Sequence, residues 1–221
     1  MQRSVWIPAV FLAAALRLSA SPCVAGGTLA SYEALGATGC TIGPQTVNNF
    51  IFTVVSVGGG ATAVSDTNIF VTPTFGANSF GAAFASSGFS VTGSGFVNYL
   101  IAFTWDSIPI SGMGDVLDPG NVEILTNGCV GVAFVGSLCS GTPVSVHVDS
   151  GQSTDFVGFS PTAILGIRDN ISLNALGGSA SFSSIENDGY IPEPTSFILV
   201  ALGLMMLAVA IRRRGVTWTN G

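Results

Sequence analysis

Lysine is absent from all 221 residues, and histidine occurs once, at His147. The six basic residues are all arginine, and five of them lie near the ends: Arg3, Arg17 and Arg212 to Arg214. Between residues 21 and 190 the sole cation is Arg168, against eleven carboxylates, so this span carries about −10 at neutral pH. A chain so poor in positive charge lacks the basic footprint that nucleic-acid binding needs, and it gains nothing from anionic lipid headgroups. No Cys-x-x-Cys is present, and with one histidine a zinc site or a redox dithiol is excluded on spacing. A Gly-x-Ser-x-Gly nucleophile elbow is missing as well.

What the middle of the chain does have is β-branched and aromatic runs divided by turn residues. Thr46–Val57, Ile69–Phe75, Phe89–Thr92, Asn98–Trp105, Val122–Leu125, Val130–Val135, Val144–Val148, Phe156–Phe159, Ile164–Leu173 and Ala180–Ile185 read as strands. Gly58-Gly59-Gly60, Gly76-Ala77-Asn78, Gly93-Ser94-Gly95 and Gly177-Gly178 separate them. Asp118-Pro119-Gly120-Asn121 reads as a type I or II turn. Asn127-Gly128 reads as a hairpin turn between the Val122 and Val130 runs. No helical period appears outside the two ends. The expected fold class is all-β: a single antiparallel β-sandwich, jelly-roll or Ig-like, over residues 21–190, with an N-terminal signal helix and a C-terminal transmembrane helix on either side.

Residues 1–20 form a secretory signal: Arg3 as a positive n-region, Val5 to Leu16 as the apolar stretch, then Ser19-Ala20-Ser21. Cleavage after Ala20 keeps Cys23, Cys40, Cys129 and Cys139, an even number suited to an oxidising compartment; cleavage after Ala25 leaves one thiol unpaired. Of the three connectivities that four cysteines allow, Cys23–Cys40 with Cys129–Cys139 closes the two shortest loops and is the expected one. The second bridge then brackets a strand and its turn.

Residues 191–214 have three parts in order: Pro192-Glu193-Pro194, an uncharged run from Ser196 to Ile211, and Arg212-Arg213-Arg214. Sixteen residues make a helix of about 24 Å, short for a bilayer core, whose ends are reached by snorkelling arginines. The basic cluster stays cytoplasmic, so the chain before Pro192 faces outward. Gly215–Gly221 is a short tail. This tripartite order resembles the PEP-CTERM sorting signal of Gram-negative bacteria. The resemblance covers about a tenth of the chain. It implies export by the secretion machinery, transient anchoring in the inner membrane, and cutting near Pro-Glu-Pro by an exosortase, a membrane-embedded cysteine protease of transpeptidase type. The destination is the cell surface or the medium of bacteria that make extracellular polysaccharide. The opening around Tyr32-Glu33-Ala34-Leu35-Gly36 and Gly39-Cys40-Thr41-Ile42-Gly43 also resembles exported proteins with this tail, which assigns no activity.

Candidate chemistry in the middle of the chain is sparse. Ser145, His147 and Asp149 share one face of a strand, but three neighbours in a row do not place a nucleophile across the imidazole from a carboxylate. Asp115, Asp118, Asn121 and Glu123 cluster oxygen donors in one loop and are the calcium candidates; Asp149 to Asp155 forms a second acidic loop. A solvated acidic loop is the simpler account, and no cofactor is expected. Sugar-facing aromatics are limited to Trp105, Tyr32, Tyr99 and Tyr190, with Trp105 in a core-like alternation. The expectation is an exported, non-enzymatic protein, structural or adhesive in exopolysaccharide, with extracellular polysaccharide as an open partner. The alternative is a carbohydrate-binding module or carbohydrate-active enzyme on the same scaffold, marked by an exposed aromatic platform or a carboxylate pair in a groove.

Overall fold

The computed structural model describes residues 20–118 and 121–192, together with Met205, and for Ser107 the backbone alone. The signal segment before residue 20, the expected turn at Pro119-Gly120, and the sorting segment beyond Pro192 (Met205 excepted) lie outside the described residues, and so do both expected flanking helices. Among the described residues no helix is long and apolar enough to cross a membrane.

Twelve strands follow one another: β1 Gly27–Thr28, β2 Cys40–Ile42, β3 Gln45–Gly58, β4 Phe70–Phe75, β5 Ser79–Ala85, β6 Ser90–Thr92, β7 Phe96–Leu117, β8 Glu123–Val130, β9 Thr142–Asp149, β10 Thr154–Asn174, β11 Ser179–Ser181 and β12 Ser184–Tyr190. One five-residue helix, α1 Leu29–Glu33, follows β1. Ten strands make one antiparallel sheet, and β6 pairs with β11 separately. The all-β expectation holds.

Two long strands, β7 and β10, run through the whole sheet and divide it. The first half of β7 pairs with β3, and the second half of β10 lies between β7 and β8, with β9 at the edge. The second half of β7 pairs instead with β12, beyond which lie β5, β4 and β1. Between the halves the β7–β10 register slips twice, between Gly158 and Ile164. Pro109 and Pro161 fall in this interruption, where a missing N–H costs no ladder bond. The sequence reading ended one strand at Trp105 and split β10 into two; the prolines bend these strands without ending them.

The bend lets the sheet curl on itself. Phe80 and Phe84 of β5 meet Trp105 and Phe103 of β7 at ring-centroid distances of 4.7 and 5.6 Å, and Phe50 of β3 stacks on Phe103 at 5.5 Å. Strand β5 was not expected, because Gly81-Ala82-Ala83 has little strand preference. Its two phenylalanines, four residues apart and both inward, are what anchor it.

The expected hairpin at Asn127-Gly128 does not form. Strand β8 runs straight through, pairing Gly128 with Val144 on one side and Ile167 on the other. A Cβ at Gly128 would collide with Met113 Sδ and come within 2.6 Å of Val144 Cγ2. Close packing, and not a turn, requires glycine there. The reversal comes later, in residues 131–141, so Cys129–Cys139 brackets a loop and not the expected strand.

Candidate functional site

Both expected disulfides are present, with Cα separations of 4.9 Å for Cys23–Cys40 and 5.5 Å for Cys129–Cys139. The first ties the start of the described chain to β2, where the Cys23 amide also donates to the Thr41 carbonyl at 2.9 Å. The second closes the 131–141 loop onto the end of β8.

The calcium candidates do not converge. The Asp115 side chain is buried in the interior, Asp118 accepts from the Ser183 and Ser184 hydroxyls, and Asn121 bonds Ser179 and Ser181. Glu123 faces the His147 imidazole at 3.6 Å on the surface. Among the described residues no group of three His, Cys, Asp or Glu side chains could hold a metal ion. The His147 amide donates to Asp155, while Asp149 accepts from the Gly151 and Gln152 amides, which hold its carboxyl below the usual range. Among the described residues, the one side chain recorded against the His147 imidazole is Glu123. Of the motif residues, Pro192 ends the described chain, while Glu193, Pro194, Arg212, Arg213 and Arg214 lie outside it.

A buried polar cluster in the interior was not expected. Asp115 of β7 lies opposite Asn187 of β12, in one half of the sheet; Asp169 of β10 lies opposite Thr126 of β8, in the other. Across the interior, the Asn187 amide donates to Asp115 at 2.9 Å and to Asp169 at 3.2 Å, and the Thr126 hydroxyl donates to Asp169 at 2.7 Å. Four side chains from four strands thus cross-link the two halves. Burial pushes the Asp115 carboxyl up to about 6. The Asp169 carboxyl is raised by its own burial and then by Asp115. Two carboxyl groups this close in a dry interior cannot both ionise cheaply.

Three of the four aromatics that sequence nominated for sugar contact are sealed: Trp105, Tyr99 and Tyr32 are at most 3% exposed. The fourth, Tyr190, is partly exposed and packs edge-on to Phe156, with centroids 4.9 Å apart. Phe156 is 56% exposed. Glycines of β7 make room for both rings: a Cβ at Gly112 would sit 2.6 Å from Phe156, and one at Gly114 would sit 3.2 Å from Tyr190. Asp188, two residues before Tyr190, lies opposite Gly114 on one side and Gly81 on the other. Its carboxyl leans over Gly81 and is raised to about 7, by burial first and then by the negative charge of Glu186. The result is a face with two rings beside two carboxyls. Its signal in the sequence was the alternation Glu186, Asp188, Tyr190, hidden because the expected strand stopped at Ile185.

On the outer surface of the other half, the stapled loop lies over Gly166. A Cβ there would meet the Phe134 amide nitrogen at 2.9 Å and the Val132 carbonyl at 3.1 Å. Beside the loop is a concavity of about 450 Å³ between Phe134, Asn49, Ile51, Thr53 and Arg168, with no carboxylate in its lining.

The fold so described is a disulfide-bridged, almost helix-free β-protein. Residues 191–214 match the PEP-CTERM protein-sorting motif, so the chain is an exported protein that passes through the membrane and is sorted by an exosortase. No curated protein matches the chain. Among solved structures it is similar to TmCBM61 in complex with beta-1,4-galactotriose, at 10% identity and a TM-score of 0.33, over 62% of this chain and 86% of that one. It is also similar to the enzymatically active domain of bacteriophage CBA120 tailspike protein 4, at 12% identity and a TM-score of 0.26, over 66% of this chain and 19% of that one. At such TM-scores neither likeness bears on function.

Proposed function

We propose that this chain is a non-catalytic adhesive protein of the extracellular polymer layer, anchored at the inner membrane only until its sorting segment is cut. Its ectodomain serves as a β-sandwich-type scaffold, acidic and repelling its own copies, whose surface holds polysaccharide. The face of Phe156, Tyr190, Asp188 and Glu186 carries this reading. An exposed ring offers an apolar surface to the C–H side of a sugar, and adjacent carboxyls accept from sugar hydroxyls.

Holding without cutting is part of the proposal and is checked by the reducing-end assay below. Glycoside hydrolysis needs two carboxyl groups flanking the scissile bond. Glu186 and Asp188 are two residues apart on β12 and face the same side. Another close pair, Asp115 with Asp169, is closed off inside the fold.

The test is retention of the full chain on insoluble polysaccharide from a producing host. Wild type is expected in the pellet, the Phe156→Ala/Tyr190→Ala variant in the supernatant, with no new reducing ends in either sample. Equal retention of the variant, or a rise in reducing ends, overturns the proposal.

A further inference from the structure

Arg168 is the one lysine or arginine between residues 20 and 192, and among the described residues it has no carboxylate within 4 Å. Among the described residues, the one ion pair within 4 Å joins His147 to Glu123. Arg168 Nε is sealed from water and donates to nothing. A desolvated, charged donor left unpaired is costly and is kept where a partner arrives from outside.

Although Nε itself is sealed, Arg168 as a whole is partly exposed and lines the concavity, so the rest of its guanidinium is what a ligand can reach. Arg168 stands in mid-sheet, between Ala102 of β7 and Asn127 of β8, with short neutral side chains on both sides. The loop that walls it is held three ways: by Cys129–Cys139, by the Gly131 amide donating to the Ile164 carbonyl at 2.9 Å, and by the Gly166 amide donating to the Val132 carbonyl at 3.2 Å. Phe134 on this loop lines the same concavity, together with Thr53 and Asn49, whose side chains are neutral and polar. A fixed guanidinium fork suits a carboxylate, which it can engage with two parallel bonds. A ring and neutral polar groups beside it suit a sugar.

We infer that the Arg168 groove binds the carboxylate of an acidic sugar residue, a uronate within a polysaccharide. This rests on the reading that polysaccharide is the chain's partner, and it adds a charge-reading subsite on the sheet half opposite to the Phe156–Tyr190 face. Long-range repulsion by the acidic ectodomain weakens the approach of a polyanion, so affinity depends on the local fork, and raised salt should cost less than at a basic patch.

The experiment is calorimetric titration of the full chain in detergent with oligogalacturonate, and with the same oligomer after methyl esterification of its carboxyls. Binding to the free acid and not to the ester is expected. Arg168→Gln should weaken it by about ten- to a hundredfold, in line with loss of a charge-assisted pair. Ile51→Glu is the second variant, because Ile51 is half-exposed and lines the groove, so a charged side chain there can stay in solvent. The introduced carboxylate should occupy Arg168 and abolish binding, with an unchanged melting temperature. Equal binding of acid and ester, or wild-type binding by Ile51→Glu, overturns the site. So does oligoglutamate binding as tightly as the uronate, which would assign the groove to acidic peptides. The two proposals fail separately: if Ile51→Glu binds oligogalacturonate as wild type while the chain still pellets with polymer, only the groove is lost. If wild type does not pellet but binds the uronate, only the matrix reading is lost.

Discussion

Arg168 and Asp169 are consecutive residues of β10 with opposite surroundings. Arg168 points outward into a groove that holds no carboxylate, and Asp169 points inward against a second carboxyl, Asp115. The ectodomain's one cation and its most buried acid are chain neighbours that cannot pair, because successive side chains of a strand leave opposite faces. Each is thus left with a deficit: a cation without an anion outside, and acids without a cation inside. The outer deficit can be met by a ligand. The inner one is met by amide and hydroxyl donors and by a retained proton.

The largest expected effect concerns the inner side. A carboxyl whose pKa is higher in the folded chain than in the unfolded one binds protons more tightly when folded, so its contribution is complete below about 3.8 and is lost as pH rises to about 6. For Asp115 this loss is about 3 kcal/mol, or roughly 6–12 °C in melting temperature for a chain of this size. Thermal melts of the full chain should therefore be higher at pH 4 than at pH 7.5. Asp115→Asn should reduce the slope, part of which Asp169 and Asp188 maintain, whereas Arg168→Gln should leave its shape unchanged. A melting temperature independent of pH in wild type would mean that the interior acids are not sealed as described.

The next effect concerns the loop that walls the outer side. Cys129→Ser with Cys139→Ser removes a ten-residue bridge, worth about 2–3 kcal/mol in the chain-entropy picture. Differential scanning calorimetry should report this loss together with weaker oligogalacturonate binding. A stability loss with undiminished binding would separate the loop from the groove.

A smaller change tests the seat of the same loop. Gly166→Ala pushes a methyl group into Phe134 and Val132 and should cost about 1–3 kcal/mol as overpacking, seen as a lower urea midpoint with an unchanged slope. The smallest effect is expected at His147→Ala. Its contact with Glu123 is an exposed pair at 3.6 Å, so chemical denaturation should shift by less than about 0.5 kcal/mol. A large shift there would mean that the His147–Glu123 pair is shielded from water.

Much of this is legible in the sequence. β-branched runs and turn clusters located most strands, because period-two burial leaves its mark locally. The disulfide partners were legible because short loops close most readily. What misled was local chemistry serving a distant need. Asn127-Gly128 has hairpin character, but its glycine answers to Met113 on another strand. The prolines at 109 and 161 look like strand ends and are corners. Asp115 sits among loop-like oxygen donors in the chain, yet Leu117 and Met113 on either side carry it into the interior. Strand β5, weak in local preference, exists because β4 and β12 pair with it on both sides.

By itself the sequence determined the sorting motif near the C-terminal end, the all-β class, the acidic and lysine-free surface, and the availability of four cysteines for two bridges. These rest on composition, hydropathy and short-range spacing, which act along the chain. The tertiary structure alone decided that β7 and β10 serve both halves of the sheet, that Asp115 meets Asp169, that Tyr190 meets Phe156, and that Arg168 stands unpaired beneath a stapled loop. Each of these joins residues 34 to 54 positions apart, or depends on which face of a strand points inward. Register across a curled sheet sets such contacts, and register is fixed by the packing of the whole core.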